Sequence, residues 1–553
     1  MQLVKTALSP GTLYGLVVVV LSVGYYALYL NSGFNFSDAG NYAQICYELF
    51  LGRDPNDLVI GYGILWFKIG EFLFHVFGVT YSLIKLLFFF CIVITNVLVF
   101  YTVSLATGSR LLAFGAALTA MLVPAFPATS FYALCVMLNV AAQMRLVQGV
   151  PRMWQAALAG AVLSFTFQIR PDFGYVFAVP LIAVIALVSF GAGGRSESSR
   201  RLHLAGSLGL SAVSGFLGVL MLGFLASAAG GYTGIFLQQF LDYPAMMAEY
   251  FLDGMRYLVT GSTPSNESAA ALLLRPSVSD IFSGGGQVSQ LALLIYLPVL
   301  VAVMFVFVIL QRARLLFKDR EVDALAPSLV ALSAAAATLP HYFLYRPDMS
   351  HIANFMPGYI VLSAVFATQM YGSIRSHGPA WKQLFAGAVL FVLIINVGLY
   401  LWTGLHSPAT GSIAVAAERT EIFSAENGVN VHVTSAEKAD LTFLRDVIIQ
   451  NSKKGAAIVC VPYCPGVAFM TARRMLLPNF YVDDTYLVKQ PSWLPNAIDL
   501  TRNGKPAVVI VIDWAINGTE LSRFANWAAP YISLVEDLSR TKVVHGSITA
   551  YML

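Results

Sequence analysis

The feature that most constrains this chain is a recurrence. Up to about residue 403, apolar runs of about 20 residues return repeatedly, separated by short polar connections, and each run is long enough to cross a bilayer as a helix. Hydrophobic residues make up 58% of the chain and charged residues 11%, too apolar for an ordinary soluble domain. The first run, residues 12–30, is too long for a removed secretory signal and has no small-residue cleavage site, so it is expected to stay as a helix. The chain reads as a polytopic α-helical membrane protein.

Residues 61–77 decide the parity of the crossings. Lys68, Glu71 and His75 fall three and four residues apart there, one polar stripe on a helix otherwise aromatic and aliphatic. That pattern suits a helix lying in the interface, with His75 an interfacial polar residue. The crossings then run at 12–30, 80–104, 111–124, 129–146, 154–169, 171–190, 207–229, 288–311, 325–343, 352–371 and 384–403, about eleven in all. With the N-terminus inside, the inner loops hold Arg110; Arg145 and Arg152; Arg195, Arg200 and Arg201; Arg312, Arg314, Lys318 and Arg320; and Arg375 with Lys382. Every short basic loop is then cytoplasmic, as the positive-inside bias requires, and the C-terminus lies outside.

Residues 1–404 are thus expected to form the membrane domain, with long outer loops at 31–79 and 230–287. Within the second loop, residues 235–259 read as an amphipathic helix broken at Pro244, followed by Gly-, Ser- and Pro-rich runs (261–268 and 283–287) that read as a mobile loop. Residues 405–553 change character. Thr434 with Glu437 reads as a capping box for a helix reaching about Asn451, residues 456–463 and 507–513 read as buried strands, and a further helix is expected from Thr519. Alternating helix and strand imply a small extracytoplasmic α/β domain. It has no glycine-rich phosphate loop, so nucleotide binding is not supported, and no nucleic acid partner is expected. The five cysteines (Cys46, Cys91, Cys135, Cys460 and Cys464) match no zinc spacing. Cys460 and Cys464 are close enough to pair, but two free thiols at a strand end are expected.

Candidate chemistry collects at the outer ends of the helices. Asp38 follows the first crossing, and either caps the helix that continues through Tyr42, Ile45 and Leu49 or serves as a general base. Glu48 and Asp54 are rival acids in the same loop. Lys85, Arg170 and Arg346 lie near outer helix ends, where the charge bias disfavours them and an anion would offset the cost of burial. Arg170-Pro171-Asp172 and Arg346-Pro347-Asp348 repeat one tripeptide, the second running on to His351. Proline and aspartate are ordinary helix-start residues, but the repeated arginine is not explained that way. Three cations with His351 at one depth suit a phosphate at the membrane surface. Asp172 and Asp348, with His341, Tyr342 and Tyr345 on the approach to the second tripeptide, are candidates to line the same cavity, as is Tyr42. Asn-x-Ser/Thr sites at Asn35, Asn266 and Asn517 carry little weight as glycosylation signals.

The order Ser37-Asp38, Tyr42, Gly52, the segment Tyr62-Gly63-Ile64-Leu65 and then Lys85 resembles the GT-C class of membrane glycosyltransferases. So does the run from Val461-Pro462-Tyr463-Cys464 to Arg473 in the C-terminal part. The resemblance extends over nearly the whole layout through short motifs. It implies a polyprenyl-phosphate-linked sugar donor and a glycan, lipid or protein acceptor. It also implies a bacterial cytoplasmic (inner) membrane enzyme whose active site faces the periplasm, with Asp38 as general base and Lys85, Arg170, Arg346 and His351 on the donor phosphate. Lipid-linked oligosaccharide transfer by the same fold, or flipping or transport of an anionic lipid or solute, are the alternatives. The chain departs from the class where residues 123–130 of the second outer loop carry no acid and where Tyr62-Gly63 replaces a double proline. No cofactor is expected with certainty, and the metal held by two loop carboxylates in such enzymes lacks its second carboxylate here.

Overall fold

A computed structural model describes residues 10–58, 62–122, 127–192, 198–260, 275–319, 325–339, 343–344, 349–376, 379–406, 413–482, 490–516 and 520–553. In chain order the helices are α1 (Pro10–Ala27), α2 (Asp38–Phe50), α3 (Ile64–Phe77), α4 (Tyr81–Thr107), α5 (Arg110–Leu122), α6 (Ser130–Val147), α7 (Met153–Ile169), α8 (Pro171–Ala192), α9 (Ser198–Ala229), α10 (Thr233–Thr260), α11 (Gly286–Asp319), α12 (Leu325–Ala336), α13 (Met349–Arg375) and α14 (Ala380–His406). Seven of them, α4, α6, α8, α9, α11, α13 and α14, are long and apolar enough to cross a membrane among the described residues. Helices α1, α5, α7 and α12 are apolar but shorter. Length and composition thus account for seven of the eleven expected crossings.

Burial follows the amino-acid pattern. Helices α6 and α13 are buried over most of their surface and form the centre of the bundle, whereas α9 is mostly exposed and presents Leu210, Leu217, Met221, Leu222 and Leu225 outward. Such a face is stable only against lipid or another apolar surface. Short connections reverse the chain between α4 and α5, α6 and α7, and α7 and α8. The starts of α6, α8 and α13 therefore share one end of the bundle, and Arg110, Arg145, Arg152 and Arg375 share the other.

Helix α3 carries the polar stripe read from residues 61–77. Lys68 Nζ pairs with Glu71 at 2.7 Å, His75 Nε2 lies 3.8 Å from the same carboxylate, and the Lys68 ammonium sits 4.8 Å over the Tyr232 ring. Ile64, Trp66, Phe67, Gly70 and Phe74 are buried, while Phe72, Val76 and Phe77 are exposed.

Two expectations for the second loop are corrected. Helix α10 runs unbroken through Pro244, because a single proline removes one backbone hydrogen bond and the flanking turns carry the helix past it. The glycine run at 283–287 is not a loop, since Gly286 opens α11 and Asp280–Ser283 is a turn of helix. Residues 261–268 lie outside the described residues.

The C-terminal region holds a hairpin, β1 (Glu421–Ala425) with β2 (Val429–Val433), and a five-stranded sheet. The sheet comprises β3 (Ala457–Val461), β4 (Arg474–Met475), β5 (Val508–Ile512), β6 (Thr541–His545) and β7 (Ile548–Met552), in the order β4-β3-β5-β7-β6. Strands β3, β4 and β5 are parallel, with β7 antiparallel to β5 and β6 antiparallel to β7. Helices α15 (Ser435–Asn451), α16 (Pro465–Met470), α17 (Trp493–Gly504) and α18 (Ala529–Leu538) accompany it. The capping box is formed, with Thr434 Oγ1 accepting from the Glu437 amide and Glu437 accepting from the Thr434 amide. The helix expected from Thr519 is a broken one: a 3₁₀ turn at Glu520–Ser522 and a helical turn at Phe524–Trp527 precede α18, where Pro530 occupies the first turn and supplies a start signal. Cys460 and Cys464 form a disulfide, against the expected free thiols; their Cα atoms are 5.5 Å apart, within the usual span of such a bridge.

Candidate functional site

Asp38 is the first residue of α2, at the junction of the bundle with the sheet region. Ser37 occupies the N-cap position but makes no side-chain capping bond. Asn35 Oδ1 takes that role, accepting from the Ala39 amide at 3.1 Å and from the Ser37 hydroxyl at 3.1 Å. The Asp38 carboxylate instead reaches across the junction. Tyr463 Oη, in the turn after β3, donates to Asp38 Oδ1 at 2.9 Å. Backbone contacts fix this approach: the Gly466 amide donates to Phe36 O at 2.8 Å, and a Cβ on Gly40 would stand 2.6 Å from Gly466 Cα. Only glycine at both positions lets α2 and α16 come so close.

Asp38 lines a cavity with Asn41, Tyr42, Tyr62, Trp66, Phe67, Ala128, Thr129 and Tyr463. Asp38, Asn41 and Tyr42 are three and four residues apart on one face of α2. The Tyr42 hydroxyl donates to Trp66 O at 2.7 Å, and burial pushes its phenol well above the usual range, so Tyr42 stays a neutral donor. Two of the lining residues carry a buried atom with no hydrogen-bond partner among the described residues, Asn41 Oδ1 and Trp66 Nε1. A buried acceptor and a buried donor left open in one cavity cost free energy unless a polar ligand completes them. In this state the cavity measures about 10 Å³, room for roughly one water.

Further elements arrive at the same place. Thr129, in the short turn before α6, accepts a hydrogen bond from Asn354 Nδ2 at 2.6 Å, which brings the first turns of α13 to the cavity wall. The Gly63 amide donates to Ile169 O at 3.0 Å and docks the start of α3 on the end of α7. The Tyr62 ring consequently lies between Asp38's cavity and Arg170, 5.9 Å from the guanidinium. The structure thus gathers Asp38, Tyr42 and Arg170 at one end of the bundle, with Tyr62 as the link.

Arg170 is fully buried. Its Nε and Nη2 donate to the two oxygens of Asp172 at 2.9 and 2.7 Å, and its plane faces Tyr132 at 3.8 Å, Phe173 at 4.4 Å and Tyr243 of α10 at 5.3 Å. An anion that offsets this cation is thus Asp172, two residues on, across the α7–α8 turn. Lys85 is engaged as well: its ammonium donates to Ser32 O at 3.0 Å and Gly33 O at 3.1 Å, tying α4 to the connection after α1. Arg346, Asp348, His341, Tyr342 and Tyr345 lie outside the described residues. His351 is in the first turn of α13, one turn ahead of Asn354.

The rival acids have other work. Glu48 is fully buried and accepts from Gln44 Nε2 at 3.0 Å, the Met475 amide at 2.7 Å and Arg474 Nε at 3.1 Å, clamping β4 onto α2. Asp54 caps a short helical turn by accepting from the Asn56 amide at 2.8 Å.

Sequence reasoning did not single out Asn41, Trp66, Thr129, Asn354 or Tyr243. Asn41 was within reach through its helical spacing from Asp38; the others meet the site only through tertiary packing. Asp38 is the sole carboxylate in the cavity wall among the described residues, and its oxygen neighbours, on Asn41, Tyr62, Thr129 and Tyr463, are neutral. That donor set does not fit a hard divalent cation, which favours several carboxylate oxygens.

No family model matches this chain, and no curated protein matches it. Among solved structures, the Archaeoglobus fulgidus oligosaccharyltransferase in complex with Zn and sulfate aligns with 90% of this chain and 67% of its own, at 13% identity and a TM-score of 0.42. A likeness that distant carries no argument about chemistry.

Proposed function

We propose that this protein is a membrane glycosyltransferase that moves a sugar from a polyprenyl-phosphate donor to an acceptor hydroxyl at the outer face of a bacterial cytoplasmic membrane, with Asp38 as general base. The observation that carries the reading is the cavity at Asp38, where a carboxylate faces an unpartnered buried acceptor (Asn41 Oδ1) and donor (Trp66 Nε1) at the end of a membrane bundle. A sugar hydroxyl both donates and accepts, so it completes the two open atoms together. An activated sugar outside the membrane also has no nucleotide supply and must arrive on a lipid carrier whose phosphate stays at the interface.

In the proposed step the acceptor oxygen attacks the anomeric carbon as its proton passes to Asp38. The bond from that carbon to the phosphate oxygen breaks with its electron pair leaving on phosphate, and configuration inverts. The lipid phosphate departs as an anion, so no general acid is needed. Since Arg170 and Lys85 already have protein partners, we assign the donor phosphate to Arg346 and His351, which stand eight and three positions ahead of Asn354 in the sequence.

The test is Asp38→Asn in membranes given labelled polyprenyl-phosphate sugars. Transfer should fall by about 10²- to 10⁴-fold with donor binding retained, as expected for a lost general base. Undiminished transfer would overturn the assignment.

A further inference from the structure

We infer that Tyr463, supplied by the sheet region, is a positioning residue for Asp38, so that the base is complete only when that region is docked on the bundle. The role given to Asp38 rests on the glycosyl-transfer reading; the contact between the two side chains does not.

Tyr463 is held from several directions. It lies in the turn joining β3 to α16, a turn closed by the Cys460–Cys464 disulfide and containing the cis Val461-Pro462 bond. Its ring meets the edge of Tyr481 at 4.9 Å between centroids. The turn is seated on the bundle by the Gly466 amide bond to Phe36 O and by the Gly40–Gly466 approach, and Phe36 packs on Trp514, just past β5, at 5.7 Å. The Glu48 clamp fixes β4 to the other end of α2. The hydroxyl is therefore delivered to Asp38 Oδ1 by a docked scaffold rather than by a loose loop.

Chemistry explains why a phenol suits this place. It is neutral at physiological pH and donates one hydrogen bond, which favours the ionised carboxylate and fixes its rotamer without adding a charge to the cavity. Among the described residues, the titratable groups that line the cavity with Asp38 are Tyr42 on its own helix, Tyr62 ahead of α3 and Tyr463, with the Arg170–Asp172 pair behind Tyr62. Of the three phenols, Tyr42 gives its proton to Trp66 O, whereas Tyr463 gives its own to Asp38.

Tyr463→Phe removes only the hydroxyl. In the full-length protein reconstituted in vesicles, the acid limb of the kcat profile should move up by about one pH unit, because a carboxylate that loses a donor binds its proton more tightly. At neutral pH kcat should drop several-fold, with KM for the lipid-linked donor unchanged. A second readout needs no activity: the pH midpoint for carbodiimide coupling of glycine amide to Asp38, followed by mass spectrometry, should rise by the same amount. An unchanged midpoint in Tyr463→Phe overturns the inference. Should Asp38→Asn retain transfer while the midpoint still shifts, the base reading falls and the positioning contact stands.

Discussion

Among single residues, Arg170 is the largest fully buried side chain in the described chain, and its charge partner is two positions away. Removing one member of such a pair strands the other, so Asp172→Asn should lower stability by about 3–5 kcal/mol, read from thermal unfolding in detergent. Asn41→Leu should behave in the opposite way. Its side-chain oxygen has no partner among the described residues, so losing it should leave the unfolding temperature unchanged or raised while KM rises about tenfold, the loss of one hydrogen bond to bound sugar. A parallel fall in stability and binding would argue against a ligand contact. At this scale the sequence was partly legible. Asp38 stood out by its place after the first apolar run, yet its choice between capping and chemistry depended on Asn35, whose capping bond only the fold reveals. In the first Arg-Pro-Asp tripeptide, linear spacing did not show that the aspartate folds back across the helix turn onto the arginine.

Elements show the same division between local and distant causes. The capping box of α15 is local chemistry and was readable from Thr434 and Glu437. The hairpin of β1 and β2 also had a local signal, Asn427-Gly428 with positive φ at both residues, which went unread beside such short strands. Its docking was not legible at all: the Tyr81 amide bonds Asn427 O at 3.0 Å, and the His432 amide bonds Asn31 O at 2.8 Å, pairing segments hundreds of residues apart. Helix α2 emerges as the element on which both halves meet, with Asp38 at one end and Glu48 at the other. Glu48→Gln should therefore loosen β4 from α2 without unfolding the bundle. Limited proteolysis should cut the C-terminal region several-fold faster than in the unaltered protein, since a buried carboxylate with charged partners is costly to replace. Equal cleavage rates would mean that the glycine contact at Gly40 and Gly466 suffices.

At the scale of the whole molecule, charge asymmetry makes a claim about sidedness. The basic helix ends gather at one end of the bundle and Asp38 at the other, so under the positive-inside bias Asp38 is expected outside. Native cysteines interfere little with a test, because Cys46, Cys91 and Cys135 are buried and Cys460 and Cys464 are bridged. Asn430→Cys should react with a membrane-impermeant maleimide in intact spheroplasts, and Ser376→Cys only after permeabilisation; the reverse pattern would invert the topology. Apolar periodicity made the helices legible across the chain, whereas the shortness of α5 and α12 shows why run length alone does not count crossings. The enclosure around Asp38 has one more implication. A volume that admits a single solvent molecule is far too small for a hexose, so under the proposed function the walls around Asp38 have to part before a sugar enters. On that reading the tempo of turnover is expected to follow this breathing rather than the bond exchange itself.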